Sequence, residues 1–185
     1  RRQLLALARQ ALHKAASSGR IQPVTTKNLP PALATPRGCF VTLTKNGALR
    51  GCIGNLRPGE PLAAAVVSNT RSAALEDPRF SPVSVSEVDE IEIEISVLTE
   101  PHPIVFSSPD DLLAKLQPGR DGVVLQIGRH AATYLPQVWE DLPDKRAFLD
   151  SLSRKAGCPA SAWQGNEVKV FIYRVEAFRE CEHRS

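Results

Sequence analysis

Arg50-Gly-Cys-Ile-Gly54 places a guanidinium, a thiol and two glycines within five residues. On an extended strand Arg50, Cys52 and Gly54 share one face, and Gly51 and Ile53 point the other way. Glycines beside a thiol strip away side-chain bulk and open a path to the sulfur or the backbone. A nearby guanidinium also favours the thiolate, the reactive form of cysteine. One reading is a cleft floor with a reactive or ligand-contacting cysteine. The other is a bulged strand with a small buried cysteine, a common fate of the free residue.

Asp77-Pro-Arg-Phe80 adds a carboxylate, a guanidinium and an aromatic ring in a stiff turn. Asp77 and Arg79 suit a planar or anionic ligand. They would equally serve as a helix stop, with Asp77 capping, Arg79 paired to it and Phe80 anchoring. Glu92 and Glu94 fall on one strand face, where paired acid–base work is conceivable. Glu92 reads more simply as solvated surface. In Thr133-Tyr-Leu-Pro-Gln-Val-Trp139, Tyr134 and Trp139 read as core aromatics with one polar tip satisfied, and Thr133 and Gln137 as candidates to line a groove. No Cys-x-x-Cys or His-x-x-x-His pair occurs, so no metal site is expected. Cys181-Glu-His183 reads as a solvated tail. The GxxxxGK[ST] and GxGxxG phosphate-binding patterns are absent, and no cofactor is expected.

These residues must be held by a fold that the rest of the chain encodes. The 185 residues are 42% hydrophobic and 23% charged, the balance of a globular protein. Twenty-three basic against 20 acidic residues give a net charge of +3, too little to argue for nucleic acid. No apolar run approaches the roughly 20 residues of a membrane helix, and no membrane association is expected. Four scattered cysteines do not form a disulfide scaffold and point to a reducing, cytoplasmic setting.

Leu5, Ala8, Leu12 and Ala15 define a helix over 2–18, stopped by Gly19. Residues 22–38, with four prolines, read as an irregular crossing. Asn46-Gly47 between two β-prone runs predicts a hairpin of 39–44 with 48–53. A two-residue turn would set Val41 opposite Cys52, with Cys39 as its diagonal neighbour and too distant for a disulfide. A helix from Pro61 to about Glu76 follows, and residues 59–82 are read as a small lobe. Ser84-x-x-Glu87 caps a short turn. A strand spans 91–98, with Ile91, Ile93, Ile95 and Val97 on one face. Next come a helix over 109–116, a hairpin of 123–127 with 131–135, a helix over 144–156 and a final strand over 168–175. Strands in hairpins without strict helix alternation indicate an α+β fold, mainly an antiparallel sheet flanked by helices.

Arg50-Gly-Cys-Ile-Gly54 resembles the signature of the AMME chromosomal-region domain family, whose bacterial members are called AmmeMemoRadiSam system protein A. Further blocks resemble the family in order: Phe40-Val-Thr-Leu, Lys45-Asn-Gly, Asp77-Pro-Arg-Phe80 with Pro82, Ile93-Glu-Ile-Ser-Val-Leu98 and Gly119-x-Asp121-Gly122. They continue with Ala132-Thr-Tyr-Leu-Pro-Gln-Val-Trp139, Arg154-Lys-Ala-Gly157 and Tyr173-x-Val-Glu-x-Phe178, covering nearly the whole chain. The resemblance implies one AMME-region domain over 1–185, with a larger subdomain drawn from both chain ends, a smaller one, and a groove between them. It also implies association with a Memo-type protein and a radical-SAM protein, while the family's activity is unsettled. The function expected is an accessory or ligand-binding component, its ligand a small molecule or nucleotide bound around Arg50, Gly51, Cys52, Gly54, Asp77, Arg79 and Thr133. The alternative is a thiol-dependent enzyme using Cys52, or Cys52 with Glu94, on a nucleotide-like or RNA substrate. Thiol catalysis of the papain kind needs a histidine near the sulfur, and no histidine falls within a family block, which favours binding.

Overall fold

The computed structural model describes residues 1–25 and 29–180. Cys181 and His183, and with them the expectation for the tail, lie outside the described residues. The chain divides into two units, residues 1–98 with 176–185, and residues 99–175. Each has a four-stranded antiparallel sheet, so the fold is α+β as expected. Among the described residues no helix is long and apolar enough to cross a membrane.

In the first unit, α1 (Arg2–Ser18) buries Leu4, Leu5, Ala8, Leu12 and Ala15, and Gly19 ends it in the left-handed conformation at φ 68°. A single helical turn, α2 (Pro31–Ala34), interrupts the proline-rich crossing. β1 (Cys39–Lys45) and β2 (Ala48–Asn55) form the hairpin, with Asn46 at φ 52° and Gly47 at φ 78° in its turn. β3 (Ile91–Leu98) flanks β1, and β8 (Val175–Arg179) completes the order β2-β1-β3-β8. α3 (Leu62–Leu75) belongs to this unit, so residues 59–82 add Leu62, Ala65, Val66 and Ala73 to its core. Those side chains, the apolar stripe of α1, and Val41, Leu43, Ile93 and Ile95 form one apolar cluster. Strand alternation therefore turns Thr42 and Glu94 to the opposite face of the sheet.

The register differs from expectation by one residue. Leu43 pairs with Gly51 but Thr44 with Leu49, leaving Arg50 as the extra residue of a β-bulge. Thr42, not Val41, is opposite Cys52. Cys39 pairs with Asn55 and faces the core, so the two free thiols project to opposite faces of the sheet.

In the second unit the order is β4-β7-β5-β6, from β4 (His102–Ile104), β5 (Gly122–Ile127), β6 (His130–Tyr134) and β7 (Val168–Tyr173). β4 contains Pro103, which an edge position tolerates because the missing N–H faces away from the ladder. α4 (Pro109–Lys115), α5 (Val138–Asp141) and α6 (Lys145–Lys155) complete the unit. Trp139 stacks on Phe148 with centroids 3.6 Å apart and donates Nε1–H to the Asp121 carbonyl at 2.8 Å. The run expected as one strand over 168–175 is instead two, β7 and β8, in different sheets. Arg174 separates them and exchanges hydrogen bonds with Thr99.

Candidate functional site

Register aligns Cys52 on β2, Thr42 on β1 and Glu94 on β3 in one row on the sheet face away from the core. The Thr42 hydroxyl donates to Cys52 Sγ at 3.4 Å. Glu94 forms an ion pair with Arg179 of β8, extending the row to the fourth strand. The next row holds Gly54, Phe40 and the buried Ser96. All three groups of the first row are half-buried. They present a thiol, a hydroxyl and a carboxylate within one patch.

Each residue around that row has a definite task. Gly51 lies under α3, where any Cβ would collide with the Ala73 carbonyl oxygen. Gly54 lies under the Phe40 ring, and a Cβ there would strike that ring and the Cys39 carbonyl oxygen. The two glycines thus serve close packing on opposite faces of β2.

β2 is an edge strand, and the Asp77-Pro-Arg-Phe80 turn closes its edge at Cys52. The Cys52 N–H donates to Asp77 Oδ2 at 2.9 Å, and Arg79 Nη2 donates to the Cys52 carbonyl at 3.4 Å. Arg79 holds Asp77 with Nε to Oδ1 at 2.9 Å and Nη2 to Oδ2 at 2.7 Å, the bidentate geometry of guanidinium on carboxylate. These bonds hold the buried Asp77 carboxyl well below the usual carboxylate range, against the opposing effect of burial. Asp77 and Arg79 therefore stand in for a neighbouring strand at one residue, and the exposed Arg79 also lies over Phe80 at 5.4 Å.

Arg50 was expected to face the thiol. From the bulge its guanidinium instead donates to the carbonyls of Ser81 at 2.8 Å and Pro82 at 3.3 Å and to Glu87 Oε1 at 2.6 Å. Glu87 also closes the capping box on Ser84 at the start of the 3-10 turn Val85–Glu90. Burial pushes the Glu87 carboxyl up, but the Arg50 and Ser84 bonds outweigh it and leave its pKa lowered. Arg50 thus binds the loop that follows the Asp77 turn.

Cys39 lies on the core face and accepts from Asn69 Nδ2 at 3.3 Å; burial pushes its thiol up to about 11. Thr133 is in the second unit, where it donates to the Val123 carbonyl at 2.9 Å and its hydroxyl is 3.0 Å from that of Tyr173. Burial raises that tyrosine to about 12.

The structure therefore brings Cys52 and Glu94 into one row and Asp77 and Arg79 to the edge beside Cys52. Two members of the row, Thr42 and Arg179, escaped the sequence reading. Thr42 is a polar residue alternating with Val41 and Leu43, a readable signal, but the bulge that sets it opposite Cys52 left no mark in the turn. Among the described residues no histidine hydrogen-bonds Cys52, and no group of three His, Cys, Asp or Glu side chains could hold a metal ion.

A protein of Thermococcus onnurineus is 38% identical over 188 residues, covering 96% of this chain and 88% of its own. One of Methanothermobacter thermautotrophicus is 40% identical over 154 residues, covering 83% and 80%. The crystal structure of the uncharacterized protein PH0010 from Pyrococcus horikoshii superposes with a TM-score of 0.82 at 37% identity, covering 96% of this chain and 89% of that one. The AMMECR1 family profile matches residues 5–178. By that match and these likenesses the chain belongs to the AMMECR1 family.

Proposed function

We propose that this domain is a ligand-binding or accessory component whose binding face is the Cys52, Thr42 and Glu94 row. One observation carries the reading: three polar groups of different hydrogen-bonding character sit in register on adjacent strands, on the face the core does not use. A thiol, a hydroxyl and a carboxylate together can accept and donate hydrogen bonds to a small polar molecule, a nucleotide included. Cys52 has a hydroxyl as its partner rather than a base, which favours binding over thiol catalysis. The resemblance to AmmeMemoRadiSam system protein A supplies the further proposal that the domain works in the cytoplasm with a Memo-type protein and a radical-SAM protein.

The test is affinity capture from a metabolite extract, with the Thr42→Val/Glu94→Gln double variant as control. The reading predicts a small molecule retained by the wild type and lost from the variant at unchanged melting temperature. Equal retention by both proteins would contradict it. Co-purification of Memo-type and radical-SAM proteins from the same cells tests the partner proposal separately.

A further inference from the structure

A concavity lies in the first unit, on its helical layer and so on the core side of the sheet from Cys52. It is a groove of about 570 Å³, within the range of small-molecule sites. Its apolar wall comes from Leu7 and Ala11 of α1, Val67 of α3, and Val24 and Leu29 of the crossing segment, with Val85 at the lip. Val85 is 61% exposed, one of three exposed large apolar side chains among the described residues.

The polar lining sets Lys14 among the neutral side chains of Gln10, Ser17, Gln22 and Thr25. Lys14 lines it from α1, two turns beyond Leu7, and no carboxylate pairs with Lys14 among the described residues. His13, the neighbouring cation-capable group, faces the exposed Asp89 carboxylate at 3.8 Å. Among the described residues that line the groove, Lys14 is therefore the cation left to receive an anion. From Leu7 to Lys14 the helix advances about 10 Å, the reach of a medium-length alkyl chain. An apolar wall of that length beside an unpaired ammonium complements an amphiphile with one anionic head.

We infer that this groove binds a medium-chain carboxylate, its alkyl chain along Leu7, Ala11 and Val67 and its head at Lys14. The site is separate from the Cys52 row, which faces the other side of the sheet.

The experiment is titration of the full chain with decanoate, decanol and decylammonium, followed by methyl NMR. Decanoate should shift the methyls of Leu7, Ala11, Val24 and Val67 and bind more tightly than decylammonium. Lys14→Glu, an exposed substitution, should weaken decanoate about fivefold and leave decanol unchanged. Val85→Asp, also exposed, should weaken both, with the melting temperature checked for each variant. Decanoate that shifts none of these methyls at millimolar concentration overturns the site. Equal binding of decanoate and decylammonium, or indifference to Lys14→Glu, overturns the assignment of the head group.

Discussion

Cys52 and Cys39 are both free and differ in every respect that governs reactivity. Cys39 is fully buried, its thiol pushed up to about 11 by burial, and it is shut away beneath α3. Cys52 is half-buried on the face away from the core, and its sulfur accepts a hydrogen bond from the Thr42 hydroxyl. Iodoacetamide should therefore modify Cys52 in the native protein and reach Cys39 only on unfolding. Arg50→Ala should leave the Cys52 rate unchanged, because Arg50 spends its donors on Ser81, Pro82 and Glu87. Mass-mapped alkylation from pH 6 to 9 checks both points. A Cys52 rate that collapses in the Arg50 variant would restore the thiol-enzyme reading. The same variant should lose about 1–3 kcal/mol, since Glu87 is left without its principal partner.

At the scale of elements, β2 is fixed by three neighbours at once: α3 on one face, Phe40 on the other and the Asp77 turn along the edge. Gly51→Ala should lower stability by about 1–3 kcal/mol, read as denaturant midpoint, because the obstacle is the Ala73 backbone rather than a movable side chain. A normal midpoint would show that α3 can shift freely. Asp77 gives the edge contact a pH signature. Its folded pKa is depressed, so its stabilisation is fully present above the ordinary carboxylate value of about 3.9 and is lost progressively as pH falls from there through the lower folded value. Wild type should therefore lose melting temperature below about pH 4 more steeply than Asp77→Asn; parallel curves would deny Asp77 this role. Much of this was legible in advance. The α1 stripe, Asn46-Gly47, the Ser84 to Glu87 box and the Ile91 to Val97 alternation are local signals, and each produced the element expected. The bulge at Arg50 and the split of 168–175 into β7 and β8 depend on packing by distant segments, to which no local pattern refers. That is why Cys52 was paired with the wrong residue and Arg50 was assigned to the wrong neighbour.

At the scale of the whole molecule, two sheets and two apolar clusters divide the chain, and the first unit takes strands from both chain ends. Arg9 of α1 binds Glu180 just beyond β8 and also donates to the carbonyls of Val88 and Ile91. Phe178 of β8 is buried in the same core as α1. The four-stranded sheet that carries the Cys52 row therefore depends on the closing segment of the chain. The central claim is that this row binds a ligand, and Cys52 itself can report on it. Native alkylation should be run with and without the molecule captured from extract, using the half-exposed Cys158 of the second unit as an internal reference. The account predicts that the ligand slows modification of Cys52 in a saturable manner and leaves Cys158 unaffected. A captured ligand that leaves the Cys52 rate unchanged, or slows both thiols equally, would contradict it.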